Sequence, residues 1–194
     1  MAAPSSEFSA EASDRELSLV KWIVRSSLAD LIVCDGELLC YDIPPERSIA
    51  GVLARSIAAR VPSTYKVDVE FHRSRAGRKV VLDPDGRERG RNPDVIVHRR
   101  GKTGTDHNLL MIELKSRWTG AQNSEDLLKV DQSIKQIGYK FGAVISFLDT
   151  TGKLQLRWQW RPKDEGDSPV FKSATLQGMI QRGEVFRSMA EFPV

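Results

Sequence analysis

Apolar residues recur at spacings of three and four from Asp14 to about Leu31, through Leu17, Val20, Ile23 and Val24, and predict an amphipathic helix. Pro44 and Pro45 open a second helix, because proline is tolerated in a first helical turn; it runs to about Arg60, where Pro62 stops it. From Tyr65 to Phe71 the period changes to two. Val67, Val69 and Phe71 alternate with Asp68 and Glu70, the pattern of a half-buried strand. A short strand at Val80–Leu82 and a turn at Asp85-Gly86 follow. Asp94–Arg99 and Leu109–Lys115, joined by the polar loop Arg100–Asp106, read as a hairpin. Asn123 or Ser124 caps a helix reaching about Tyr139, with Leu127, Val130, Ile134 and Ile137 on its apolar stripe. Gly142–Leu148 is an apolar run of strand length. Lys153–Trp160 alternates, with Leu154, Leu156, Trp158 and Trp160 on one face. A short helix is expected over Leu176–Arg182, and Leu38–Asp42 fits no element cleanly.

Meandering strands ahead of a crossover helix predict an α/β fold, a mixed β-sheet flanked by helices. The 194 residues fit one domain with a real core. Residues 1–13 are small and polar and are expected to be a flexible tail, leaving 14–194 as a single domain. The 40% hydrophobic and 28% charged composition excludes a disordered or fibrous chain. No apolar run is long enough to span a membrane, and the N-terminus lacks a secretory pattern, so a cytoplasmic protein is expected. Cys34 and Cys40 cannot complete a zinc site alone and are expected to be reduced and mostly buried.

Three residues carry a chemical signal. Glu113 and Lys115 are separated by one strand residue and project from one face, while Leu110, Ile112 and Leu114 project to the other. The hairpin returns Asp94 to a position beside Glu113. Two carboxylates so placed repel unless something neutralises them. A hard divalent cation such as Mg²⁺ does so through oxygen ligands. A lysine beside it suits phosphodiester hydrolysis, orienting a water and stabilising developing negative charge. Glu46 shares a helical face with Ile49, Ala50, Leu53 and Ile57, so it points toward the sheet, where a metal or its bound water would partner it; a first-turn Glu favoured by the helix dipole explains it as well.

Pro93-Asp94, the hairpin, and then Glu113-Leu114-Lys115 resemble the signature of the PD-(D/E)XK, or restriction-endonuclease-like, nuclease superfamily, over residues 44–148. The resemblance implies a restriction-endonuclease-like sheet and a metal-dependent nuclease, endonuclease rather than exonuclease. Asp94, Glu113 and the Leu114 main-chain carbonyl would hold Mg²⁺, with Mn²⁺ able to substitute. Lys115 would assist the nucleophile, and Glu46 would support the metal through water. Glu70 lies on the polar face of the preceding strand and could line the same cleft; a solvated strand carboxylate explains it as well. Some exonuclease branches carry Gln-x-x-x-Tyr on the next helix. This chain departs from that pattern, with Lys135 at the Gln position before Tyr139 and Gln136 one residue later.

The net charge of +3 is too small to argue for a nucleic-acid partner, but the distribution is uneven. Seven basic residues, including Arg73, Arg75 and Arg91, stand against three acids between His72 and Arg91, and Arg99 and Arg100 follow. Beside a metal cleft these, with His98, would suit a phosphate backbone, with DNA favoured. The rival expectation is a non-cleaving domain that binds nucleic acid or a protein partner. A homodimer, or a place in a larger defence or mobile-element complex, stays open.

Overall fold

The computed structural model describes residues 6–71, 73–74, 77–83, 85–117, 120–148 and 154–161, with the backbone alone for 6–13, 73–74, 77–78, 120–123, 154–155 and 157–158. The expected helix at 176–182 lies outside these residues. The first helix, α1 (Ser6–Asp35), begins eight residues before Asp14, so the expected tail is helical from Ser6. Its stripe Leu17, Val20, Ile23, Val24, Leu28 and Leu31 is buried. One turn of 3-10 helix, Gly36–Leu39, occupies the ambiguous stretch and leads to α2 (Glu46–Ala58). Pro45 caps α2 without a side-chain bond, and its carbonyl accepts from the Ile49 N–H at 3.1 Å. Ile49, Leu53 and Ile57 are fully buried, each removal from water worth about 1.5–3 kcal/mol.

The strands are β1 (Lys66–Val69), β2 (Arg73–Ser74), β3 (Gly77–Arg78), β4 (Val80–Leu82), β5 (Glu88–Gly90), β6 (Val95–His98), β7 (Asn108–Arg117), β8 (Tyr139–Leu148) and β9 (Leu154–Arg161). Helix α3 (Gly120–Ile137) joins β7 to β8. Five strands form one sheet in the order β1-β6-β7-β8-β9. Only β7 and β8 are parallel among these neighbours, as a helical crossover requires; the other pairs are antiparallel. β2 with β3, and β4 with β5, make two small ribbons between β1 and β6 in sequence.

Alternation sorts the sheet residues into two layers. Val95, Val97, Leu110, Ile112, Leu114, Phe141, Ala143 and Ile145 pack with α1 and α2. Ile96, Met111, Tyr139 and Val144 pack with Val130 of α3 on the opposite face. The fold is therefore mixed α/β, with helices on both faces. Trp160 joins the first layer, as the alternation of β9 predicts; the side chain of Trp158 lies outside the described set.

Local departures have local causes. Glu70 has a φ of 50°, the one positive value at a non-glycine among the described residues. It reverses the alternation of β1, so Phe71 packs against His98 rather than beside Val67. The helix α3 ends before Tyr139, which is the first residue of β8. Gly138, at φ 80°, makes that exit, its N–H donating to the Ser133 carbonyl at 3.1 Å. Cys34 and Cys40 are free, as expected, but both are exposed rather than buried. Cys34 falls outside the buried stripe of α1, and Cys40 follows the 3-10 turn. No helix among the described residues is long and apolar enough to cross a membrane.

Candidate active site

The β6–β7 ladder pairs Val95 with Ile112 and Val97 with Leu110. Continued by one residue, that register sets Asp94 opposite Glu113, as the hairpin predicts. Pro93 is buried and has no N–H to extend the ladder, so β6 starts only at Val95. The Asp94 carboxylate takes over. Its Oδ2 accepts from the Leu114 N–H at 2.6 Å. Glu46, in the first turn of α2, reaches the same stretch of β7: its Oε1 accepts from the Ser116 N–H at 2.6 Å. Two carboxylates from distant elements thus clasp the main chain on either side of Lys115.

Glu113 is 8% exposed. Burial, and then the Asp94 charge, push its carboxyl up to about 8, with Lys115 and Lys129 opposing. Asp94 is raised by burial first and by Glu46 and Glu70; the Leu114 N–H and Lys115 pull the other way. Lys115 loses solvation, yet Asp126, Glu46, Glu113 and Asp94 outweigh that loss and hold it above the ordinary lysine range. The two carboxylates are consequently undercompensated, while Lys115 is firmly cationic.

Asp126 was not marked by the sequence analysis. It sits on α3, 2% exposed, with Oδ1 2.6 Å from Lys129 Nζ and Oδ2 3.6 Å from Lys115 Nζ. A signal existed: Asp126, Val130, Ser133 and Ile137 follow helical spacing, so an acid lies on the buried stripe, the same reasoning that singles out Glu46.

The remaining expected residues are more dispersed. Glu70 ends β1, its N–H donating to the Asp94 carbonyl at 3.2 Å and its carboxylate pairing with Arg47 at 2.5 Å. Arg91 is half-buried, attracted by Glu113 and bonded to Gln132. His98 is 3% exposed, with Nε2 2.7 Å from Asp68, so its ring is engaged within the sheet rather than presented to a ligand. Arg100 is exposed and grips Asp68 with two nitrogens. Arg99 instead stacks over the Tyr65 ring at 4.8 Å. Arg75 lies outside the described residues, and of Arg73 only the backbone is described.

Lys135 is exposed. Gln136 is occupied by Leu82, accepting from its N–H at 2.7 Å and donating to its carbonyl at 3.0 Å. Tyr139 is fully buried, and its hydroxyl meets Lys79 Nζ at 2.5 Å. Burial lowers Lys79 to about 8 despite the nearby Asp68 charge. Gln136, Tyr139 and Lys79 fasten the β4–β5 ribbon to α3 and β8 rather than enter the Asp94–Glu113 site.

Among the described residues, no three of His, Cys, Asp and Glu converge as a ready-made metal-binding group. The donor chemistry of Asp94 and Glu113 nevertheless fits a hard divalent cation, because both are oxygen donors whose mutual repulsion a cation would relieve. No protein-family model and no curated protein matches the chain.

Proposed function

We propose that the chain is a metal-dependent nuclease that hydrolyses phosphodiester bonds, with DNA the favoured substrate and a restriction-endonuclease-like fold. The observation that carries this reading is the placement of Asp94 opposite Glu113, with Asp94 bonded to Leu114 of the neighbouring strand and Lys115 within electrostatic reach of both carboxylates. The motif's resemblance to the PD-(D/E)XK superfamily supports it. So does the sheet, in which the motif hairpin precedes a helical crossover to a parallel strand.

Asp94, Glu113 and the Leu114 carbonyl would hold Mg²⁺ or Mn²⁺, which supplies Lewis-acid polarisation of the phosphate and charge neutralisation. The chain's own residues set the rest. Lys115, kept cationic by the surrounding carboxylates, stabilises negative charge developing on the phosphate. Glu46 holds the Ser116 N–H and so fixes the strand segment bearing Lys115. Arg91 brings positive charge next to Glu113, while the exposed Arg100 and Lys102 offer phosphate contacts beside the hairpin loop.

The test is cleavage of supercoiled plasmid by wild type and Asp94→Ala, with Mg²⁺, with Mn²⁺ and with chelator. Metal-dependent nicking or linearisation that disappears in the variant is expected. Metal-dependent cleavage of equal rate in Asp94→Ala would overturn the assignment. A non-cleaving nucleic-acid-binding domain is the second reading, favoured by the absence of a ready-made three-residue metal group among the described residues. Calorimetric titration separates the two: the nuclease binds Mg²⁺ or Mn²⁺, and the scaffold binds neither.

A further inference from the structure

The buried side of α3 carries an acid that the proposed chemistry leaves unused. Asp126 is 2% exposed, and its two oxygens face two different lysines, Lys129 on its own helix and Lys115 on β7. Burying a carboxylate is unfavourable by several kcal/mol unless ion pairing and hydrogen bonds offset it. Here one ammonium from each of two elements does so, and the carboxylate becomes a charged link across the α3–β7 boundary, which Asn108 also bridges through the Ile137 carbonyl.

Lys115 is subject to competing attractions. Asp94, Glu113 and Glu46 draw its ammonium toward the end of the sheet, and Asp126 draws it toward α3. Its side chain is 25% exposed and ends in a compact charge on a flexible stem, so the balance of these forces decides where the charge sits. Without the pull from α3, the ammonium would settle on the Asp94–Glu113 pair. An internal salt bridge would then occupy the oxygens that a cation needs.

We propose that Asp126 is a positioning residue that holds the Lys115 ammonium aside on α3, so that Asp94 and Glu113 stay available to a divalent cation while Lys115 remains next to it. The proposal deepens the nuclease reading and rests on it for its kinetic consequence. Its effect on cation affinity is measurable without any substrate.

The experiment is a double-mutant cycle on the full chain with Asp126→Asn, Lys115→Met and both together. Mg²⁺ affinity is read by calorimetry, and plasmid cleavage supplies kcat and KM. Asp126→Asn weakens Mg²⁺ binding and lowers kcat, each by about 10- to 100-fold, and leaves the KM for DNA within about twofold. In the Lys115→Met background the same substitution changes either quantity by less than about twofold, because nothing is left to hold aside. Losses from the two substitutions that multiply would overturn the proposal, since Asp126 would then act independently of Lys115. Should Asp126→Asn fail to fold by circular dichroism, Asp126→Glu is carried through the same cycle with the same criterion. A wild type that binds Mg²⁺ but cuts nothing removes the nuclease reading alone, and the affinity cycle still decides the role of Asp126. A wild type that binds no divalent cation overturns both.

Discussion

Glu113 keeps its proton to a pH of about 8, because burial and the neighbouring Asp94 charge both disfavour its anion. Its ordinary value is 4.5, so the folded state binds this proton more tightly than the unfolded chain does. That contribution to stability is fully present below pH 4.5 and is lost as the pH climbs through about 8. In metal-free buffer the thermal midpoint should therefore fall between pH 5 and 8, and Glu113→Gln should flatten the fall. Saturating Mg²⁺ should raise the wild-type midpoint most at pH 8, where the cation replaces the proton, and should leave Glu113→Gln nearly unmoved; differential scanning fluorimetry reads both. The residues that carry this behaviour were legible in the sequence because strand alternation and hairpin register are simple rules. Glu113 and Lys115 share a face by parity, and the loop length sets Asp94 across from them. Asp126 stands on the buried stripe of α3, which helical spacing marks, but which strand residue it meets is set by how the helix docks and no spacing marks that. His98 keeps to the same face of β6 as Ile96, and Asp68, opposite Ile96 on β1, takes its Nε2.

At the scale of elements, the seat of α3 on the sheet decides whether Asp126 can reach Lys115. Gly142 of β8 lets the helix come close: a Cβ there would lie 2.3 Å from Val130 Cγ1. Gly142→Ala should cost about 1–3 kcal/mol of stability in urea denaturation, as overpacking does. It should also slow cleavage more than a comparably destabilising change under α1, such as Val24→Ala, because it moves the helix that bears Asp126. The helices and strands were read well wherever period and punctuation agreed, as with the Pro44-Pro45 start of α2. They were misread where a single backbone angle overruled the pattern. Glu70 at φ 50° and Gly138 at φ 80° each redirect an aromatic residue, Phe71 and Tyr139, onto the α3 face. The sequence contains both residues but no period that marks the turn.

For the whole molecule, the α3 face of the sheet holds two titrating systems of opposite sign. Lys79 is lowered from 10.5 to about 8 by burial, so the unfolded chain holds that proton over the range in which the folded chain has lost it. Stability from this group is present above pH 10.5 and is lost as the pH falls through about 8, the reverse of Glu113. Together the two give the metal-free protein a stability minimum near pH 8. A urea series from pH 5 to 10 should locate it, and Lys79→Met should remove the rise on the alkaline side. A monotonic profile would mean that the two buried groups do not titrate as their surroundings dictate.

The parallel pairing of β7 with β8 also has a consequence in time. Antiparallel neighbours joined by short turns can zip together as soon as both strands exist, whereas a parallel pair must wait for its whole crossover to fold and dock. Asp94 and Glu113 lie on the hairpin made first, but Asp126 rides on the crossover, and β8 ends at Leu148. During synthesis or refolding, the carboxylates can thus meet well before the element that restrains Lys115 arrives. On the proposed reading, cation binding of native strength should return in a refolding experiment with the slowest phase, in step with the docking of α3.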